Sequence, residues 1–290
     1  MASTSLNLVM LLVLVLTGVF VLTTLQSPAT PKSLPSAEPG QPSHNHLDAN
    51  STNHLFWFVQ ISDLHISHVH DPTRITSFRA FCQQVLALIK PKVVLASGDL
   101  TDGKKPNFAD SDQFLFEWQT YEGAIRDSLG SSATTWLDVR GNHDNFNVLS
   151  RNKPNNFFQK YSIKKSFSRS YMHQVTTDSG DLYSFIGVDA CTEPGAKRPY
   201  NFFGSLEEAD LALLSGYSAK SRGSTATVWF GHYPTTTIHS SRPLVEVMAN
   251  GGVYLCGHLH NLLGLMRRMY ARHGTGMLEL ELADWKDNRV

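Results

Sequence analysis

Val93-Val94-Leu95-Ala96-Ser97-Gly98-Asp99-Leu100-Thr101-Asp102 runs an apolar stretch straight into a Gly-Asp step. Four apolar residues bounded by a polar, glycine-containing exit read as a strand buried on both faces, the kind found in parallel sheets. Upstream, Phe56 to Ile61 reads the same way and ends at Asp63-Leu64-His65. Between the two strands Ile75, Phe78, Cys82, Val85 and Ile89 recur at helical spacing, so the unit is strand, helix, strand. Downstream, Phe114, Trp118, Tyr121 and Ile125 form the stripe of a second helix, and Thr134 to Val139 is a third strand that exits at Gly141-Asn142-His143-Asp144. The first half is therefore an α/β unit with a parallel sheet.

After Asn155 the pattern turns to β structure. Ser168 to Val175 and Leu182 to Val188 flank a turn at Asp178-Ser179-Gly180-Asp181, and Ser205 with Glu208 matches a capping box for a helix ending near Gly216. Thr225 to Phe230 and Gly252 to Cys256 are strands that each stop at a Gly-His, followed by strands at Leu263 to Tyr270 and Met277 to Leu282. A turn begins around Lys286 to Asn288, and the chain stops where a returning strand is expected. An unpaired edge strand is a liability, which suggests a shortened version of a longer protein.

Composition sets the frame. The 290 residues carry 25 basic and 25 acidic side chains, so no net charge draws the chain onto nucleic acid, and 41% hydrophobic content supports a sizeable core. Cys82, Cys191 and Cys256 show no C-x-x-C spacing and read as small buried hydrophobes. Leu8 to Leu25 is an uncharged apolar stretch of about 18 residues, near the lower limit for a membrane span and longer than a signal-peptide core, with no clean Ala-x-Ala site after it. Residues 1–26 thus read as an uncleaved signal anchor, a hydrophobic helix through which the chain meets the membrane. Residues 27–53, with Pro28, Pro31, Pro35, Pro39 and Pro42, read as an extended tether, and 54–290 as one domain. Asn50-Ser51-Thr52 is a glycosylation sequon that would matter if the folded part is lumenal or extracellular.

Five motifs, Asp63-Leu64-His65, Gly98-Asp99-Leu100-Thr101-Asp102, Gly141-Asn142-His143-Asp144, Gly231-His232 and Gly257-His258-Leu259-His260, each lie just past a strand's C-terminal end, where α/β sheets form ligand crevices. Singly they are weak; together they supply seven metal-ligand side chains and one spare histidine. In this order they resemble the calcineurin-like metallophosphoesterases, whose pattern of D-x-H, G-D-x-x-D, G-N-H-D/E, G-H and G-H-x-H is matched without a gap over about residues 56 to 284. The resemblance implies a four-layer αββα sandwich of two mixed sheets flanked by helices. It implies two metal ions, with Fe, Mn, Zn or Mg all open: Asp63, His65 and His260 on the first, Asn142, His232 and His258 on the second, and Asp99 bridging. It implies hydrolysis of a phosphate ester by hydroxide formed at the two ions, with His143 as phosphate-stabilising cation or as acid, and Asp102 orienting His143. A silent binding module of the same fold, and the outer domain of a larger multi-pass membrane protein, are the rival readings.

Residues outside the motifs carry blander expectations. His68 and His70 line the mouth or are solvated; Trp57, Trp118, Trp136 and Trp229 pack in the core; Asp144 caps the turn after it. Arg140 meets phosphate or pairs with a carboxylate such as Asp138, and Lys104 and Lys105 border the pocket. If the folded part faces the lumen or the exterior, full-length chain expressed in eukaryotic cells migrates faster after glycosidase treatment, and Asn50→Gln removes that difference. An unmodified wild-type chain would contradict that placement.

Overall fold

Three parallel strands form the first sheet: β1 (Phe58–Ile61), β2 (Val93–Ser97) and β3 (Thr135–Val139), in that order, with Phe58 opposite Val93 and Val93 opposite Thr135. The structure is a computed structural model and describes residues 55–108, 110–129, 133–166, 168–239, 241–260, 270–283 and 285. The expected anchor and tether lie outside these residues, as does most of the strand expected before Tyr270. Among the described residues no helix is long and apolar enough to cross a membrane.

The crossover from β1 to β2 is helical as the spacing predicts, but its stripe drifts. Helix α1 (Thr73–Ala80) runs through a π-helical stretch, Phe81–Val85, into α2 (Leu86–Ile89). The wider π turn rotates the later residues around the axis. Phe78, Cys82 and Leu86 are therefore buried, while Val85 and Ile89 are 41% and 43% exposed. Helix α3 (Leu115–Leu129) buries Trp118, Tyr121 and Ile125 as expected.

The second sheet has six strands: β10 (Tyr270–Arg272), β11 (Leu278–Glu281), β9 (Val253–Cys256), β7 (Ala226–Gly231), β5 (Leu182–Val188) and β4 (Tyr171–Thr176), in that order. β4 and β10 run antiparallel to their neighbours at the two edges, and the four strands between them are parallel. β11, the last described strand, is paired on both sides. A small parallel pair, β6 (Gly204–Ser205) and β8 (Ile238–His239), completes the sheet structure described.

Alternation along the strands builds the layers. Val93 and Leu95 face Phe185, Phe230 and Leu255 between the sheets, whereas Val94 and Ala96 face Phe78 and Tyr121 on the helical side. In the second sheet Ile186, Val188 and Trp229 turn the other way, onto Leu214 of α5 and Leu244 of α6. Those helices span Glu208–Lys220 and Ser241–Val247; a short α4, Phe157–Tyr161, adds Tyr161 to the first core. The result is the helix, sheet, sheet, helix order expected. α5 starts two residues later than the sequence reading: Glu207 is its N-cap, in a reciprocal capping box with Asp210, because Ser205 is already committed to β6. Trp118, Trp136 and Trp229 are buried, but Trp57, just before the edge strand β1, is 62% exposed. All three cysteines are buried and free.

Arg140 pairs with a carboxylate, one of the two roles read from the sequence, but the partner is Asp189 and not Asp138. Its Nε donates to Asp189 Oδ2 at 2.7 Å and its Nη1 to Asn145 Oδ1 at 3.1 Å, joining the exit of β3 to that of β5. Asp138 instead accepts from the Tyr121 hydroxyl and from the amides of Ile163 and Lys164. Burial pushes the Asp189 carboxyl up, but Arg140 and Arg169 overcome it and hold it below the usual range. Arg140→Met deprives Asp189, 1% exposed, of its nearer guanidinium partner, and removing one partner of a buried pair costs about 3 kcal/mol or more. Denaturant unfolding should show that loss; an unchanged midpoint would refute it.

Candidate metal centre

Every motif sits where its strand ends. Asp63 follows β1 by two residues, Gly98 follows β2 directly, Gly141 follows β3 after Arg140, His232 follows β7 and Gly257 follows β9. Within the first sheet the loops after β1 and β2 continue the ladder: Asp63 N donates to Gly98 O at 3.0 Å, His65 N to Asp99 O at 2.9 Å and Asp102 N to Ile66 O at 2.9 Å. The second sheet's exits reach them through His258 N on Asp63 Oδ2 at 3.1 Å and His232 Nδ1 on the Ser97 carbonyl at 3.0 Å. The turns are sharp. Asp63, His65, Asp99, His258 and His260 all have left-handed backbones, with φ of 56°, 44°, 50°, 85° and 54°. Such residues are uncommon outside glycine and collect at functional sites. Gly98 has φ +91°, and a Cβ at Gly141 would overlap the Asp99 carboxylate.

Seven predicted ligands fall into two sets that meet at Asp99. In the first, His260 Nε2 lies 2.8 Å from Asp63 Oδ1 and 3.2 Å from His65 Nε2, while His65 Nε2 lies 3.6 Å from Asp99 Oδ2. In the second, Asn142 Oδ1 is 3.0 Å from His232 Nε2 and 3.1 Å from His258 Nδ1, and His232 Nε2 is 3.4 Å from Asp99 Oδ1. The two oxygens of one carboxylate thus face opposite sets.

These spacings fit metal ions. Donors about 2.1 Å from one ion are about 3.0 Å apart in an octahedral and about 3.4 Å apart in a tetrahedral arrangement. The donor chemistry agrees. His232 Nδ1 donates to the Ser97 carbonyl at 3.0 Å, which leaves Nε2 as a lone pair aimed at the second set. His65 turns Nδ1 toward Asp102 Oδ1 at 3.4 Å, leaving Nε2 for the first, a carboxylate–histidine arrangement common behind metals. Burial pushes the imidazole of His65 down to about 3 and lowers those of His232 and His258, keeping all three neutral as ligation requires. Asp63 and Asp99 are 0% and 1% exposed, and burial, with Asp63 and Asp144 nearby, pushes the Asp99 carboxyl well up. Two buried carboxylates this close call for positive charge between them.

His143 stands over the first set, its Nε2 3.7 Å from Asp99 Oδ2. The resemblance implied that Asp102 orients His143, and the contact is through the backbone: Nδ1 is 2.5 Å from the Asp102 carbonyl oxygen and 3.8 Å from Asp102 Oδ1. A carbonyl only accepts, so Nδ1 carries hydrogen and Nε2 faces the pocket. The Asp102 carboxylate is taken by Lys104 Nζ at 3.1 Å and by His65. Burial raises its pKa, yet His65 and Lys104 outweigh that and hold it far below the usual carboxylate range. Lys104 is thereby paired, as is Lys105 with Asp110.

Other assignments also change. Asp144 does not cap the turn after it. Its carboxylate accepts from the amides of Leu100, Thr101 and Gly141 and from the Thr101 hydroxyl, at 2.9–3.1 Å, clamping two motif loops together. Glu117, which the sequence reading passed over, is 0% exposed and accepts from Gly103 N at 3.0 Å and His68 N at 3.1 Å. Its position, three residues after Phe114 and four before Tyr121, puts a charge on a buried helix stripe, and that was the available signal. His68 Nδ1 meets Glu117 at 2.9 Å, and His70 stacks on Phe108 with ring centroids 4.0 Å apart. A cavity of about 250 Å³ opens beside Asp99, Asn142, His143, His258 and His260. Its remaining wall, Phe146, Arg198, Pro199, Asn201 and Phe202, comes mainly from a segment with no motif.

Comparison with known proteins agrees with this geometry. The family model for calcineurin-like phosphoesterases matches residues 56–262. The chain is 45% identical over 267 residues to Transmembrane protein 62 of Mus musculus, covering 91% of this chain and 41% of that protein. It is 35% identical over 248 residues to an Arabidopsis thaliana protein named for a metallophosphoesterase, covering 81% of this chain and 33% of that protein. The chain thus spans less than half the length of these relatives. Among solved structures, a dimetal phosphatase from Danio rerio superposes with TM-score 0.57 at 14% identity, covering 79% of this chain and 87% of that one. The GAP50 anchor of the inner membrane complex of Plasmodium gives TM-score 0.50 at 13% identity, covering 79% and 71%. At such identities these likenesses concern fold alone.

Asp144→Ala should unclamp the two loops without touching a donor atom. Losses behind metal ligands typically weaken binding about 10–100-fold. Chelator competition on the folded variant measures this, and wild-type metal affinity would refute it.

Proposed function

This chain belongs to the calcineurin-like phosphoesterases, and on that premise we propose that it hydrolyses a phosphate ester with the help of two neighbouring cations. Asp63, His65 and His260 would hold one, Asn142, His232 and His258 the other, and Asp99 both. The observation that carries this reading is the division of the Asp99 carboxylate, one oxygen toward each donor set. Mixed Asp, Asn and His donors suit Fe, Mn, Zn or Mg. When bound, such a pair neutralises phosphoryl charge and lowers the pKa of water toward neutrality.

The chain's own groups do the rest. Water supplies the oxygen that bonds to phosphorus, the P–O bond to the alcohol breaks, and the departing alkoxide takes a proton. His143 is placed to deliver it: Nδ1–H is fixed on the Asp102 carbonyl, and Nε2 opens on the cavity. Burial lowers the His143 pKa, so the proton on Nε2 is favoured only with the anionic phosphate beside it, which couples protonation to substrate arrival. The completeness of the set, seven donors and His143, supports turnover over a silent module of the same fold. In the cell we place the domain on the lumenal or extracellular side, held by residues 8–25, on the strength of that apolar stretch and the Asn50 sequon. What the remaining length of the longer relatives contributes belongs to a larger protein.

Loaded with Mn²⁺ or Zn²⁺, the protein should bind about two ions per chain and cleave an aryl phosphate. His143→Ala should lower kcat by about 10²–10⁴-fold at unchanged metal content, while Asp99→Asn should cost metal as well as activity. Two bound ions with no turnover across a broad phosphate-ester panel would overturn the proposal.

A further inference from the structure

The segment between β5 and β6 is an arm laid across the mouth of the cavity, fastened along its length. Gly195 N donates to Val148 O at 2.8 Å, Arg198 N to Ser111 Oγ at 3.0 Å, and Asn201 Nδ2 to the carbonyl of Asn142 at 3.2 Å. At Gly195 a Cβ would overlap the Asn145 carbonyl, so the arm lies tight against the loop that carries Asn142 and His143. It sends Arg198 and Phe202 into the cavity wall. The Phe202 ring is 4.5 Å from that of His258, and across the site Phe146 is 4.5 Å from His143.

Arg198 differs from the cations around it. Lys104 is paired with Asp102 at 3.1 Å, and Lys105 and Lys197 with Asp110 at 2.6 and 3.4 Å. Among the described residues no ion pair is formed by Arg198, whose Nη1 donates to the Phe108 carbonyl at 2.6 Å. Arg198 lines a cavity whose other polar lining, among the described residues, is the candidate centre and Asn201.

We infer that Arg198 grips the phosphoryl group of the substrate and selects phosphomonoesters over phosphodiesters, an inference that rests on the phosphoesterase reading above. A monoester phosphoryl has three non-bridging oxygens and, with a second pKa near 6, about two negative charges at neutral pH. A diester has two such oxygens and one charge. Two cations and the leaving-group acid leave one monoester oxygen without a partner, and a guanidinium fork matches it in charge and geometry. The same oxygen in a diester carries a second organic group, which would be driven against Arg198, Pro199 and Phe202. The cavity, about 250 Å³, is also smaller than the roughly 300–1,000 Å³ of most small-molecule sites.

The test uses the full-length, Mn²⁺-loaded protein with p-nitrophenyl phosphate and bis(p-nitrophenyl) phosphate, and separately the calorimetric Kd of inorganic phosphate. Wild type should favour the monoester in kcat/KM. Arg198→Ala should reduce the monoester-to-diester ratio about tenfold or more and weaken phosphate about tenfold or more, as expected for a charge-assisted hydrogen bond; Arg198→Lys should recover part of both. Arg198 is exposed, so these changes leave the core intact. A wild-type preference for the diester, or an unchanged ratio and unchanged phosphate affinity in Arg198→Ala, would overturn the inference. If two metals bind and neither ester is cleaved, the phosphoesterase reading fails instead, and phosphate affinity alone decides the role of Arg198.

Discussion

Four carboxylates, those of Asp63, Asp99, Asp102 and Asp144, are buried to within 1% exposure around one small cavity, and the architecture of the site follows from what makes that tolerable. Each is answered differently. Asp144 is satisfied by backbone amides and Asp63 by Ser62, the His258 amide and His260, while Asp102, whose oxygens accept no hydrogen bond, is offset by the charge of Lys104 and the nearby His65 ring. Asp99 accepts the His143 amide at 2.8 Å and otherwise faces imidazoles that burial keeps neutral. A carboxylate so placed is at ease only with cations beside it, and both its oxygens already point to where they would sit.

Much of this was legible in the chain. Short apolar runs located β2, β3, β5, β7 and β9 to within a residue or two at each end, because a strand buried on both faces is spelled by residue type alone. The motifs located the donors because each glycine-marked exit is also a structural necessity. What escaped was what depends on neighbours distant in sequence. Asp144 looked like a local cap, yet its partners Leu100 and Thr101 are over forty positions away in sequence. Arg140 found Asp189 rather than Asp138 because it lies past the end of β3, beside the exit of β5, while Asp138 inside the strand is already taken by the Tyr121 hydroxyl and the amides of Ile163 and Lys164. Ser205 was lost to a two-residue strand too short to have a pattern.

The least legible part is the cavity's outer wall. Its arm has no periodicity and no recurring motif, and only its fastening to the 142–148 loop makes Arg198 and Phe202 part of the site. The division is physical. Elements that hold the cations are constrained by coordination geometry and announce themselves in spacing, whereas the surface that chooses among substrates is constrained only by shape and charge. The same fold can thus underlie a phosphatase in a fish and an anchor in a parasite, as the two structural neighbours are described.

The left-handed turns at Asp63, His65, Asp99, His258 and His260 set these positions apart from their fellow donors Asn142 and His232, the former with an ordinary φ of −66°. Replacement at a left-handed position is taxed twice, once in chemistry and once in backbone conformation, with glycine and asparagine the cheapest substitutes. A lineage that abandoned catalysis while keeping the scaffold would therefore erode unevenly. Asn142 and His232 would drift first and most freely, and glycine or asparagine at 63 or 99 would be the lasting scar of a lost reaction.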